Sequence, residues 1–110
     1  MTSDQYILDD KGEPIQEPDP EMWAKWLGSN SLRRVAFEQV GNYTVSTVFL
    51  GIDYNFSDEG PPILWETMVF PASSYLETEC DRCSGGREQA EAMHAAMVDR
   101  VKALTSMERF

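Results

Sequence analysis

The 110-residue chain has no Lys or Arg between Val35 and Asp81, a stretch that holds eight acids. Phosphate backbones are held by Lys and Arg, so direct nucleic-acid binding is excluded as the work of this stretch. The whole chain carries 9 basic and 19 acidic residues, a net charge of −10. Its distribution is uneven: net −6 over Met1–Glu21, +3 over Met22–Arg34, −8 over Val35–Asp81 and +1 over Arg82–Phe110. No run approaches the roughly 18 apolar residues of a membrane span, so no membrane partner is expected. The opening Met1-Thr2-Ser3-Asp4 has neither the basic nor the apolar part of an export signal, and the expectation is a cytoplasmic protein. Histidine is scarce, with His94 alone, and there are only two cysteines, Cys80 and Cys83. Their C-x-x-C spacing is half a zinc site, and one histidine cannot complete a Cys2His2 set. Cys80, Cys83 and His94, with Asp81 or Glu79 as a fourth ligand, are a loosely spaced metal candidate. Free thiols are the expectation in a reducing compartment, and a bridge across the pair is the alternative. There is no Gly-rich phosphate loop, no Ser-His-Asp order and no basic–aromatic interleaving, so no cofactor is expected.

What the chain does have is a long β-rich stretch. Val45–Phe56 and Ile63–Phe70 are rich in Val, Ile, Phe, Tyr, Trp and Thr and flank the turn residues Ser57–Pro62. Read as an antiparallel hairpin with Phe56 opposite Ile63, it puts Val48, Leu50, Ile52, Tyr54 and Phe56 beside Ile63, Trp65, Thr67 and Val69. That face is almost wholly apolar and is the expected core face. Thr47, Phe49, Gly51, Asp53 and Asn55 then share the other face with Leu64, Glu66, Met68 and Phe70, and Asp53 stands opposite Glu66. Gly41-Asn42 is a two-residue hairpin turn. Pairing Val40 with Tyr43 adds Arg33–Val40 as a third strand, with Val35 and Phe37 on the expected core face and Arg34, Ala36 and Glu38 on the other.

Around this meander the other elements are readable. Gln5–Asp9 is a short strand candidate, Asp9–Gly12 a turn, and Glu13–Ile15 a return arm. Asp19-Pro20-Glu21 opens a helix by cap, first-turn proline and dipole-favoured acid. Its stripe is Met22, Trp23, Trp26 and Leu27, and Gly28 is its expected end. Ser74–Thr78 is an edge-strand candidate. Glu88–Leu104 is an amphipathic helix with Ala90, Met93, His94, Met97, Val98, Val101 and Leu104 on one side. The expected architecture is one α+β domain over 1–110: an antiparallel meander of three to five strands, the C-terminal helix on one face, and the short Trp-bearing helix closing the core. The ends, 1–4 and 105–110, read as tails.

The runs Ser46–Phe56 (STVFLGIDYNF) and Gly60–Phe70 (GPPILWETMVF), with the A-E-A-x-H-x-x-M-V helix of Ala90–Val98, resemble a family of small bacteriophage and prophage proteins. The opening Tyr6–Ile15 and the W-x-x-W pair Trp23 and Trp26 fit the same pattern. Cys80–Gly86 departs from it, since family members more often have an aromatic-containing segment there. The resemblance implies a setting rather than an activity: a phage-type protein in the cytoplasm of a bacterial host. Small acidic phage proteins often bind a host protein, including defence nucleases and transcription machinery.

Three functions stay open at this point. The leading one is a non-enzymatic interaction protein that binds a host or phage protein with a basic surface, as an inhibitor of a defence or nucleic-acid-handling factor. Its candidate face is Glu38, Phe49, Asp53, Glu66, Met68 and Phe70, apolar groups beside acids, and a homodimer through the same face is the other occupant. The second is a small metal-dependent or acid–base enzyme using Asp53, Glu66 and His94. The third is a structural component of a phage particle.

Overall fold

The computed structural model describes residues 4–29, 31–57, 59–71 and 79–107. In chain order the elements are β1 (Tyr6–Leu8), β2 (Pro14–Gln16), α1 (Pro20–Ser29), a 3-10 turn (Ser31–Arg33), β3 (Arg34–Val40), β4 (Tyr43–Phe49), β5 (Ile63–Pro71), β6 (Glu79–Ser84) and α2 (Arg87–Met107). β1 and β2 form a two-stranded antiparallel ribbon, and β3-β4-β5-β6 form a four-stranded antiparallel sheet in chain order. The chain is α+β, with the long C-terminal helix laid across one face of the sheet.

Local chemistry explains the element ends. In the β1–β2 turn, the Asp9 carboxylate accepts the amides of Lys11 and Glu13, and these bonds hold its pKa below the usual carboxylate range. Asp19 caps α1, its Oδ1 accepting the Glu21 amide at 2.9 Å, and α1 ends at Ser29, one residue past Gly28. α2 starts from Gly86, whose amide donates to Gln89 Oε1 at 2.9 Å while its carbonyl accepts the Gln89 amide. At its other end α2 reaches Met107, into the stretch read as a tail.

The β4–β5 register corrects the hairpin expected from the sequence. The pairs are Val45↔Val69, Thr47↔Thr67, Val48↔Glu66 and Phe49↔Trp65, five residues from the expected alignment. Five is odd, and side chains alternate, so β4 turns over relative to β5. Trp65, Thr67 and Val69 do face the core, but their partners there are Val45, Thr47 and Phe49. Val48 and Leu50 are half-buried, and Phe56, expected in the core, is 88% exposed. Phe37 pairs with Ser46 as expected, yet lies on the outer face and is 55% exposed. Val35 alone of the two still reaches the core edge, because the β3 register shifts between Arg34 and Ala36.

The cause lies at Gly51 and Asp53. Gly51 adopts φ +79°, which ends β4, and its carbonyl accepts the Tyr6 amide at 2.8 Å and the Trp23 indole N–H at 2.9 Å. Leu27 of α1 packs so closely on it that an added Cβ would meet Leu27 Cδ2 at 2.6 Å. Asp53 then accepts the amides of Asn55 (2.7 Å) and Ile63 (2.9 Å), and the Asn55 side chain donates to the carbonyls of Glu59 and Pro61. These side-chain bonds replace the expected Phe56–Ile63 ladder with an irregular connection between β4 and β5. Asp4, placed in a tail by the sequence, accepts the Asp53 amide at 3.0 Å.

Two apolar clusters fill the space under α2. One holds Leu8, Phe49, Leu64, Trp65, Ala90 and Met93, with Trp26 and Cys83 at its edge. The other holds Val40, Val45, Val69, Met97, Val98 and Val101. Each large side chain so buried contributes about 1.5–3 kcal/mol relative to exposure. Trp65 also donates its indole N–H to the Gly85 carbonyl at 2.8 Å, which fixes the start of α2 over β5. Ser74–Thr78 lies outside the described residues, and β6 directly follows that segment.

Replacing Gly51 by Ala forces a side chain into a left-handed backbone at the junction of β1, α1 and β4. The expected loss is about 1–2 kcal/mol of stability, read as a lower urea midpoint with an unchanged slope. A Gly51→Ala chain as stable as wild type contradicts the role given to this glycine.

Candidate functional site

Between the two apolar clusters runs a row of polar side chains, one from each of four elements. Thr67 Oγ1 (β5) lies 2.5 Å from Thr47 Oγ1 (β4), which lies 2.7 Å from His94 Nδ1 (α2). His94 Nε2 lies 3.0 Å from Glu38 Oε1 (β3). Thr47 and Thr67 are fully buried, His94 is 4% exposed, and the Glu38 side chain is half-exposed at the sheet edge. One neutral tautomer satisfies the row: Nε2–H donates to Glu38, Thr47 O–H donates to Nδ1, and Thr67 O–H donates to Thr47. Among the described residues, no buried side-chain nitrogen or oxygen lacks a partner.

Hydroxyl, imidazole and carboxylate in line are the parts of an activated nucleophile. Here Thr47 has no exposed surface, so no substrate reaches its oxygen. The row holds the helix to the sheet instead. The sequence placed His94 on the helix stripe correctly but left open the hydroxyl it meets there. It did not identify that hydroxyl or Glu38, because the expected register put Thr47 and Glu38 on the other face.

The six residues read as one interaction face are divided by the structure. Glu66, Met68 and Phe70 share the outer face of the sheet, away from α2. Phe49 is in the core between Trp26 and Trp65, with ring centroids at 5.8 and 5.0 Å. Glu38 belongs to the helix side with His94, and Asp53 is the loop cap described above. Asp53 does not stand opposite Glu66; Val48 does, with Arg82 on the other flank. Asp53, Glu66 and His94 therefore occupy a loop, the outer face and the covered face, with no common acid–base site. Among the described residues, no group of three or more His, Cys, Asp or Glu side chains is placed to hold a metal ion.

The cysteines resolve in the same way. Cys80 pairs with Met68 on the outer face and is exposed, whereas Cys83 pairs with Trp65 and lies against the core. Among the described residues neither forms a disulfide, and burial followed by the Asp81 charge pushes the Cys83 pKa up. Three strand residues apart, their Cα atoms are separated by about 10 Å, beyond the roughly 7 Å a disulfide spans.

The outer face is an ordered set of cross-strand rows. One runs Phe37, Ser46, Met68 and Cys80 across all four strands. A second runs Arg34, Val48, Glu66 and Arg82, and a third Gln39, Thr44 and Phe70. Arg34 stacks on Phe37 at 4.6 Å and Arg82 on Tyr54 at 5.1 Å. Glu66, expected as a solvated acid, is 8% exposed and accepts from Arg82 Nε at 2.7 Å. That bond is the main cause of a raised Arg82 pKa. The acids of the helix side sit on the edge strands instead, Glu38 on β3 and Glu79 and Asp81 on β6.

No family model matches the chain, and neither a curated protein nor a solved structure shows significant similarity to it. Among the described residues, no helix is long and apolar enough to cross a membrane.

Thr47→Val removes the middle of the polar row and leaves His94 Nδ1 without its partner. The expected destabilisation is about 1–3 kcal/mol. In a double-mutant cycle with His94→Phe, the two losses should fall short of additivity by about 0.5 kcal/mol or more, measured by urea unfolding. Additive losses would falsify the direct coupling.

Proposed function

We propose that this chain is a non-enzymatic binding protein that docks a host or phage protein on the outer face of its four-stranded sheet. The observation that carries this reading is Phe37, 55% exposed at the end of a row that crosses all four strands. Apart from its contact with the Arg34 guanidinium, this ring is left to water on a regular strand, where a partner can cover it. On the same face, half-buried Met68 and Phe70 supply an apolar centre, and Gln39, Thr44 and Arg82 supply a polar surround, the anatomy of a protein interface.

Charge supports a basic partner. The net charge of −10 attracts such a protein at long range and repels a second copy of the chain. Proteins that handle nucleic acid carry the Lys- and Arg-rich surfaces that phosphates require. Together with the resemblance to phage proteins, this favours a nucleic-acid-handling or defence factor of a bacterial host, with this protein as its inhibitor in the cytoplasm.

The test is a pull-down from bacterial lysate at low salt with wild-type protein and the Phe37→Asp/Met68→Asp chain, whose folding is checked by circular dichroism. Wild type should capture a basic protein that added salt releases, and the double variant should lose it. Capture that survives the double substitution, or that is confined to a second copy of the chain, contradicts the reading.

A further inference from the structure

The longest acid-free stretch of the chain, Met22–Phe37, carries three basic residues and supplies four of the five residues that line one cavity. The cavity measures about 440 Å³ and is open to solvent, between the end of α1, the 3-10 turn and the start of β3. Its lining is Leu27, Ser31, Arg33, Arg34 and Val48. In a chain with twice as many acids as bases, Arg82, Arg87 and Arg100 each reach a carboxylate. Arg33 and Arg34 reach none among the described residues. Both guanidiniums are nonetheless held. Arg33 Nε donates to the Phe49 carbonyl at 3.3 Å, and Arg34 lies over the Phe37 ring at 4.6 Å.

We propose that this cavity binds an oxyanion, a carboxylate or phosphate group carried on an apolar or aromatic body. Arg33 has its Nη donors left for the anion once Nε is engaged, and Arg34 keeps its N–H edge while its face rests on Phe37. Guanidinium forks match the planar carboxylate and the phosphate edge alike. The Ser31 hydroxyl is a further donor, and Leu27 and Val48 form the wall for the apolar body. Held arginines lose less freedom on binding than mobile ones, which favours the bound state. The site is complete within one chain and stands whether or not a protein partner docks on the sheet.

The test uses the full chain alone, labelled with ¹⁵N, and three probes: N-acetyl-phenylalanine, its neutral amide, and phenyl phosphate. Saturable amide shifts at Leu27, Ser31, Arg33, Arg34 and Val48 are expected with an anionic probe and not with the neutral amide. The tighter of the two anions tells a carboxylate ligand from a phosphate one. Arg33→Gln and Arg34→Gln, each confirmed as folded by its own spectrum, should weaken binding about tenfold or more. The anion-against-amide comparison on wild type needs no variant, so it stands even where a substitution unfolds the chain. Absence of saturation by either anion up to about 10 mM, equal shifts with the neutral amide, or folded arginine variants that bind as wild type overturn the proposal.

Discussion

A buried row of hydrogen bonds, from Thr67 through Thr47 and His94 to Glu38, aligns this fold. Each of β5, β4, α2 and β3 supplies one member. Apolar burial on either side of the row drives the packing but is tolerant of small displacements. The row is not tolerant, because a hydroxyl or imidazole buried without a partner costs about 1–3 kcal/mol. A slip of one residue in either central strand, or one turn in α2, breaks it. The polar layer thus selects one seat for the helix among those the two apolar clusters would accept.

The choice of seat determines what is left for function. With Val45, Thr47 and Phe49 covered, the outer face keeps Phe37, Met68 and Phe70, together with the Glu66–Arg82 pair and Arg34, which stacks on Phe37. The acids of Glu38, Glu79 and Asp81 sit on the two edge strands. Charge on an edge discourages strand addition. The net −10 acts as a long-range field around that face.

Much of the fold was legible because it rests on local chemistry. Asp9 with Gly12, Asp19 with Pro20, and Gly41 with Asn42 each mark a turn or cap by the side chain's own bonds, and all three stand where expected. The helical face through Ala90, Met93, His94, Met97, Val98 and Val101 is buried as its spacing requires. The β4–β5 register was not legible from strand composition, since Ile52, Tyr54 and Phe56 look like strand and belong to a loop. Gly51, Asp53 and Asn55 were the available signal: a glycine inside a strand pattern and two turn-forming side chains close behind it. β6 offered less, because Glu79–Ser84 has no apolar alternation and is held by pairing with β5. The site followed the register. An odd slip takes Phe49 and Glu38 off the outer face and puts Phe37 on it.

The whole architecture stands on that register, and cross-strand NOEs in the folded protein test it most directly. It predicts contacts between Val45 and Val69, Thr47 and Thr67, and Phe49 and Trp65, with His94 close to Thr47. Contacts between Phe56 and Ile63 and between Asp53 and Glu66 would contradict it.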